Sequence, residues 1–172
     1  MADPFADFLD NPSGDTFLEL RALVIAQPEY DFHSASLAEL EDLVATGQFE
    51  AVPEKLPELM PNWLLSPRLH RLVSQAAEQR GDTETAQREL ALAQACLKGL
   101  LESGDGSPMR PYRITQVADE YDLLESLGKE LATQRIVPDA AFGPLDVLVC
   151  SDGRELCFDI GPGLTQAASA QP

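Results

Sequence analysis

The chain is 172 residues long, 44% hydrophobic and 24% charged, which lets one domain bury about 70% of its unfolded surface and excludes wholesale disorder. Its 29 acidic residues outnumber 12 basic ones, and the formal net charge of −17 repels phosphate backbones and anionic lipid surfaces alike. Nucleic acid and membrane are therefore not expected as partners, and a protein with a basic surface is the partner chemistry that the charge favours. The opening Met-Ala-Asp-Pro-Phe carries acids where a secretory leader carries bases, and the best early apolar stretch, Phe17 to Ala26, is broken by Glu19 and Arg21. Three cysteines (Cys96, Cys150 and Cys157) show no framework spacing, so the expected compartment is the reducing cytoplasm.

Residues 1–14 read as an acidic N-terminal arm, with Phe5, Phe8 and Leu9 interleaved with Asp3, Asp7 and Asp10. That pattern suits a short interaction motif, or rings packed on the first helix. Residues 15–103 read as a helical region. A helix over Asp15 to Gln27 carries Phe17, Leu20, Leu23 and Val24 and stops before Pro28. Ser36-Leu37-Ala38-Glu39 has the form of a capping box, ahead of a stripe of Leu37, Leu40, Leu43 and Val44 that ends at Gly47. Pro53 and Pro57 predict a kink or a late start in the segment from Phe49 to Met60. Trp63 reads as a core or junction residue. Ser66-Pro67 sets a cap and a first-turn proline before Leu69, Leu72, Val73 and Ala76. Asp82 opens the longest helix, with Ala86, Leu90, Ala93 and Leu97 expected inward. Gly47 and Gly81 lie 34 residues apart, the period of tetratricopeptide helix pairs, and Val52, Leu56 and Leu59 match Ala86, Leu90 and Ala93 in that register.

Residues 104–160 read as a small α/β region packed on the helices. It takes in a short strand over Tyr112–Gln116, a helix over Val117–Gly128 with Tyr121, Leu124 and Leu127 inward, and a short strand at Ile136 and Val137. Asp152-Gly153 predicts a two-residue hairpin turn with Ser151 opposite Arg154. In that register Leu145, Val147, Val149, Leu156, Phe158 and Ile160 share one apolar face, while Cys150 and Cys157 sit diagonally on the other, a geometry that disfavours a disulfide. Residues 161–172 read as a flexible tail. The expected class is α+β, mainly α: a tetratricopeptide-like stack, then a small C-terminal antiparallel element with one helix.

Three groups of residues resemble a known pattern. They are Ser103-Gly104-Asp105-Gly106-Ser107-Pro108 with Tyr112-x-Ile114, then Val117-x-Asp119-Glu120-Tyr121-x-Leu123-Leu124-x-x-Leu127-Gly128, and finally Leu145-Asp146-Val147-Leu148 with Cys157-Phe158-Asp159-Ile160. Together they resemble the bacterial domain-of-unknown-function family 4919, over about Phe17 to Ile160 and most specifically from Gly104 on. The resemblance implies a helical region followed by a small β element and implies no activity. Met109-Arg110-Pro111, Pro53 and Pro57 depart from the pattern.

No catalytic, cofactor-binding or metal-ligating residues are assigned. His33 and His70 lack ligand spacing and read as surface or core-edge residues. There is no Gly-x-Ser-x-Gly elbow, and Gly104-Asp105-Gly106 follows a helix and precedes a strand, the wrong order for a phosphate loop. Charge is more informative. Residues 1–58 carry net −11, residues 59–117 net +1 and residues 118–172 net −7. Glu39, Glu41, Asp42, Glu50, Glu54 and Glu58 are the candidate partner-binding residues, the last three forming a like-charge row at every fourth position. The same row also suits a solvated face that keeps the chain soluble. The leading expectation is a non-enzymatic interaction module, such as an immunity protein that neutralises a basic toxin. An adaptor or chaperone for a secreted protein, a hydrolase using carboxylates, and a nucleic-acid mimic are the alternatives.

Overall fold

In the computed structural model, which describes residues 4–161 and 163, the helices come first and a small sheet follows. The helices are α1 (Pro4–Asp10), α2 (Gly14–Ile25), α3 (Leu37–Ala45), α4 (Val52–Leu59), α5 (Pro67–Gln79), α6 (Thr83–Glu102) and α7 (Ala118–Ser126). The strands β1 (Leu131–Asp139), β2 (Gly143–Cys150) and β3 (Glu155–Asp159) form an antiparallel meander in the order β1-β2-β3. The class is mainly α with a small antiparallel sheet, as the sequence predicts. Of the expected tail, residues 162 and 164–172 lie outside the described residues.

Local chemistry explains most of the helix boundaries. Ser66 Oγ accepts from the Leu69 N–H at 3.2 Å, and Asp82 Oδ1 from the Thr85 N–H at 3.1 Å, satisfying donors that a first turn leaves unpaired. Ser13 and Thr16 close a reciprocal capping box on α2 that the sequence reading does not contain. The box expected at Ser36 does not form. Ser36, the residue before α3, makes no cap bond: its Oγ accepts from Trp63 Nε1 at 2.9 Å, while Glu39 reaches Lys55 instead. Pro53 sits in the first turn of α4, where no helical donor is needed, and Pro57 lies inside that helix. A 3-10 turn, Phe49–Ala51, leads into it.

Two main cores result. Phe8, Phe17, Leu20, Cys96 and Leu100 from α1, α2 and α6 meet Ile114, Leu123, Leu148 and Phe158. Residues 4–10 of the acidic arm are thus a packed helix, with Phe8 fully buried and 6.4 Å from Phe17 between ring centroids. Leu40, Val52, Leu59, Trp63, Leu69 and Val73 form the second core among α3, α4 and α5. Gly47 and Gly81 end α3 and α5 in the same way, with φ of 74° and 76°. The inward face of α6 differs from the expectation. Glu89, Leu92, Ala93, Cys96 and Gly99 are buried, whereas Leu90 is exposed. Close approach selects small side chains there. A Cβ on Gly99 would lie 2.6 Å from Cβ of Phe17, far inside van der Waals contact.

The second half departs further. Tyr112–Gln116 is not a strand. Tyr112 alone bridges to Phe158, through Tyr112 N–H to Cys157 O and Asp159 N–H to Tyr112 O, both 2.9 Å, and so covers the outer edge of β3. On α7 the expected inward residues Tyr121 and Leu127 are exposed, and Asp119, Glu120, Asp122, Leu123 and Leu124 are buried. The hairpin turn has three residues, not two. Cys150 N–H donates to Arg154 O at 2.7 Å, and Gly153 alone takes a positive φ, 83°. The register therefore slips by one, pairing Val149 with Glu155 and Val147 with Cys157. One face carries Leu148, Cys150, Leu156, Phe158 and Ile160 into the first core. The other carries Leu145, Val147 and Cys157 into a small third cluster with Val137 and Phe142. Cys150 and Cys157 consequently lie on opposite faces, each a buried free thiol.

The Phe17–Gly99 approach predicts that Gly99→Val destabilises the fold by about 1–3 kcal/mol through overpacking. Urea denaturation of the variant beside the wild type measures it; an unchanged midpoint would refute that approach.

Candidate functional site

An apolar groove of about 550 Å³ lies among α1, α4, α5 and α6. Phe5, Leu9 and Pro12 form one wall, from α1 and the turn after it. Leu56 and Met60 of the α4 end form the other. The floor is α5 and α6, with Leu69, Val73, Leu92 and Ala95 around a polar centre of His70, Glu89 and Arg88. His70 is buried and not a surface residue; His33 is exposed. His70 Nδ1 lies 2.8 Å from Glu89 Oε2 and its Nε2 lies 2.9 Å from Leu64 O, so both ring nitrogens face acceptors. Arg88 donates from Nε and Nη2 to Glu89 Oε1. Burial raises the Glu89 carboxyl, but the His70 bond and charge together with Arg88 outweigh it and hold the group below its ordinary range. Within this centre His70 and Glu89 are bonded inside the chain, while the Arg88 side chain is 62% exposed. Sequence reasoning missed it, although a His between Leu69 and Val73 and a Glu beside Leu92 were visible as polar groups on apolar stripes.

The six predicted partner-binding residues are not gathered into one patch. Glu39 and Glu58 flank Lys55 at 2.8 and 3.6 Å, beside a shallow cavity that Leu40 and Leu59 help to line. Glu41 pairs with Arg68 at 3.2 Å, at the edge of another small cavity near Trp63. Glu50 pairs with Arg80 at 3.5 Å. Asp42 and Glu54 are exposed and have no ion pair among the described residues. Across the chain, eleven of the twelve Lys and Arg side chains pair with a carboxylate, Arg154 being the exception among the described residues. Asp7, Asp10, Asp15 and Glu19 of α1 and α2 are exposed without such a partner.

A second set of acids, Asp119, Glu120 and Asp122 on α7 and Asp146 on β2, is buried. Asp119 Oδ2 accepts from Thr115 N–H, Thr115 Oγ1 and Gln116 N–H at 2.8, 2.8 and 2.9 Å. Burial nevertheless pushes its carboxyl up to about 6. Asp122 takes Arg68 at 2.7 Å and Arg71 at 3.5 Å. Asp146 accepts from Gln134 Nε2. Glu120 is fully buried and neither carboxyl oxygen has a hydrogen-bond partner. Burial first, then the charges of Asp146 and Asp119, push it up to about 8. None of the three cavities above is lined by Glu120 or Asp146. Among the described residues no three His, Cys, Asp or Glu side chains converge as a metal site, and no helix is long and apolar enough to cross a membrane.

Comparison with family models, curated proteins and solved structures returns no match for this chain.

Glu120 makes stability depend on pH in a defined direction. Its folded pKa lies above the unfolded one, so its stabilising contribution is complete below the ordinary glutamate range and is lost as pH rises to about 8. One proton corresponds to a slope of at most about 1.4 kcal/mol per pH unit. Asp119, Asp122 and Asp146 are also raised and act with the same sign at lower pH. Urea unfolding across about pH 5 to 8 is expected to show falling stability in the wild type and a shallower slope in Glu120→Gln. Equal slopes would show that Glu120 is ionised in the fold.

Proposed function

We propose that this chain is a non-enzymatic interaction module of the cytoplasm, a tetratricopeptide-like acidic scaffold that takes a protein with a basic surface. Neutralisation of a basic toxin by an immunity protein is the form of this activity that the charge and size suit. Escort of a secreted protein by an adaptor uses the same surface. The observation that carries the reading is the fate of the cations. Almost all are engaged by the chain's own carboxylates, so the exposed acids of α1 and α2 face solvent with nothing to offset them. A field of one sign raises the association rate of an oppositely charged partner.

Two further observations support this reading over its rivals. The carboxyls with raised pKa, Asp119, Glu120, Asp122 and Asp146, are buried, whereas acid–base catalysis needs them within reach of a substrate. Lys55, Arg68 and Arg80 interrupt the early acids, whereas mimicry of nucleic acid needs an unbroken row of charges. The helix pairs α3–α4 and α5–α6, each turning at a left-handed glycine, are what we read as the repeat. Within it Leu56 is half-buried and its counterpart Leu90 exposed. The resemblance to family 4919, read over about Phe17 to Ile160 and most specifically from Gly104 on, implies no activity.

Affinity capture from the source cell tests the reading, with the wild type beside the quadruple variant Asp7→Asn, Asp10→Asn, Asp15→Asn, Glu19→Gln. The wild type is expected to retain a basic protein, released as salt rises to about 1 M, where the screening length falls to about 3 Å. The variant is expected to lose it. Retention of neutral or acidic proteins only, or binding indifferent to both salt and variant, would overturn the reading.

A further inference from the structure

The groove over α5 and α6 has one exposed charge, and it is a cation. Among the described residues that line it, His70 and Glu89 are buried, whereas the Arg88 side chain is 62% exposed. The contribution of α6 is Arg88, Ala91, Leu92 and Ala95, at i, i+3, i+4 and i+7, a stripe about 10.5 Å long on one face. The charge stands at the first position of that stripe, and every residue of it thereafter is apolar. Leu9 and Met60, also in the lining, are 42% and 36% exposed, large side chains left partly in water. Arg88 reaches Glu89 Oε1 through Nε and Nη2, while His70 takes Glu89 Oε2. Nη1 stands outside that pair and carries two more N–H donors. A compact polar ligand would have to part His70 from Glu89 to gain an anchor on the floor. A hydrocarbon chain needs no anchor there, and a single anionic head at its end complements the guanidinium. The volume of about 550 Å³ falls within the range of about 300–1,000 Å³ that small-molecule sites occupy.

We propose that this groove binds a fatty-acid anion of medium length, its tail along Ala91, Leu92 and Ala95 and its carboxylate on the Arg88 guanidinium. The net charge of −17 opposes an anion at a distance, but salt screens that field beyond about 8 Å, whereas the head lies in contact with Arg88. Burial of the tail supplies most of the affinity, and the head sets which way the chain lies. The site goes beyond the reading of the chain as a module for a basic partner and uses none of the exposed acids of α1 and α2 that carry that reading.

Isothermal titration calorimetry of the full chain with octanoate, decanoate and dodecanoate, each below its micelle concentration, tests the site. Affinity is expected to rise about two- to fourfold with each added methylene. Ala91→Trp fills the groove from an exposed position and is expected to weaken decanoate at least about tenfold. Arg88→Gln is expected to weaken decanoate at least about threefold, to leave decanol within about twofold and to strengthen decyltrimethylammonium. Arg88→Lys keeps the charge and is expected to retain most of the affinity for decanoate. Arg154→Gln removes an equal charge from an exposed position outside the groove and is expected to change nothing. Circular dichroism of each variant confirms that it is folded before it is compared. Affinity independent of chain length, or indifference to Ala91→Trp, would overturn the groove as the site. The head is wrongly assigned if Arg88→Gln leaves decanoate unchanged or weakens decanol equally, or if Arg154→Gln has the same effect as Arg88→Gln. Absence of binding by all three acids overturns the proposal outright.

Discussion

A single carboxylate oxygen shapes the turn against which both halves of this molecule pack. Asp119 Oδ2 gathers three donors from Thr115 and Gln116 and so fixes the turn that leads into α7. The segment it fixes is buried and lies between the helices and the sheet. Its other polar groups are claimed by the helical half: Arg21 Nε donates to Ile114 O at 2.9 Å and Tyr30 OH to Thr115 O at 2.5 Å. The sheet side closes the same joint, where Asp159 of β3 accepts from Arg113 at 2.7 Å and lies 3.8 Å from Arg21. Arg113 in turn stacks over Phe142, 4.4 Å from the ring centroid. A buried backbone donor left unpaired costs about 1–3 kcal/mol, so removal of this carboxylate exposes several such costs at once. The apolar residues around it, Ile114, Leu123 and Phe158, pack as one core only while the turn keeps its shape.

What was legible in the sequence follows the range of the forces involved. Ser66 and Asp82 act on donors three residues away, and both caps are present where the residues predict them. Helical stretches were visible because their periodicity is local. The failures share a cause: a distant residue decided the outcome. The Ser36 hydroxyl is taken up by Trp63 and not by the first turn of α3. Leu90 was left outside because the face of α6 that carries Leu92, Cys96 and Gly99 is the one that packs inward, with Gly99 against Phe17 of α2. Tyr121 and Leu127 yielded the inner face of α7 to acids that Arg68 and the 115–116 backbone satisfy. In the hairpin, Asp152-Gly153 marked the turn correctly but pointed to two residues where three make it, and that one residue reversed which apolar set meets the first core.

The candidate site divides in the same way. Acidic residues are countable in a sequence; their partners are not. The charge of −17 resolves in three dimensions into carboxylates paired with the chain's own cations, carboxylates buried under α7, and exposed ones without a cation. Only the last group projects a field. The groove was invisible beforehand because its walls and floor come from α1, α4, α5 and α6, none of which carries a recognisable motif. Its one sequence trace was polar residues placed on apolar faces.

The proton on Glu120 has a calorimetric consequence. Near neutral pH the folded chain holds it, because the carboxyl has no hydrogen-bond partner and is pushed up to about 8. The unfolded chain, with Glu120 in water, does not. Unfolding therefore hands a proton to the solvent, and the apparent heat of denaturation contains the buffer's own heat of protonation. Scans in phosphate and in Tris would report different enthalpies for one and the same structural event. In the fold, the formal count of −17 includes a charge that Glu120 does not carry.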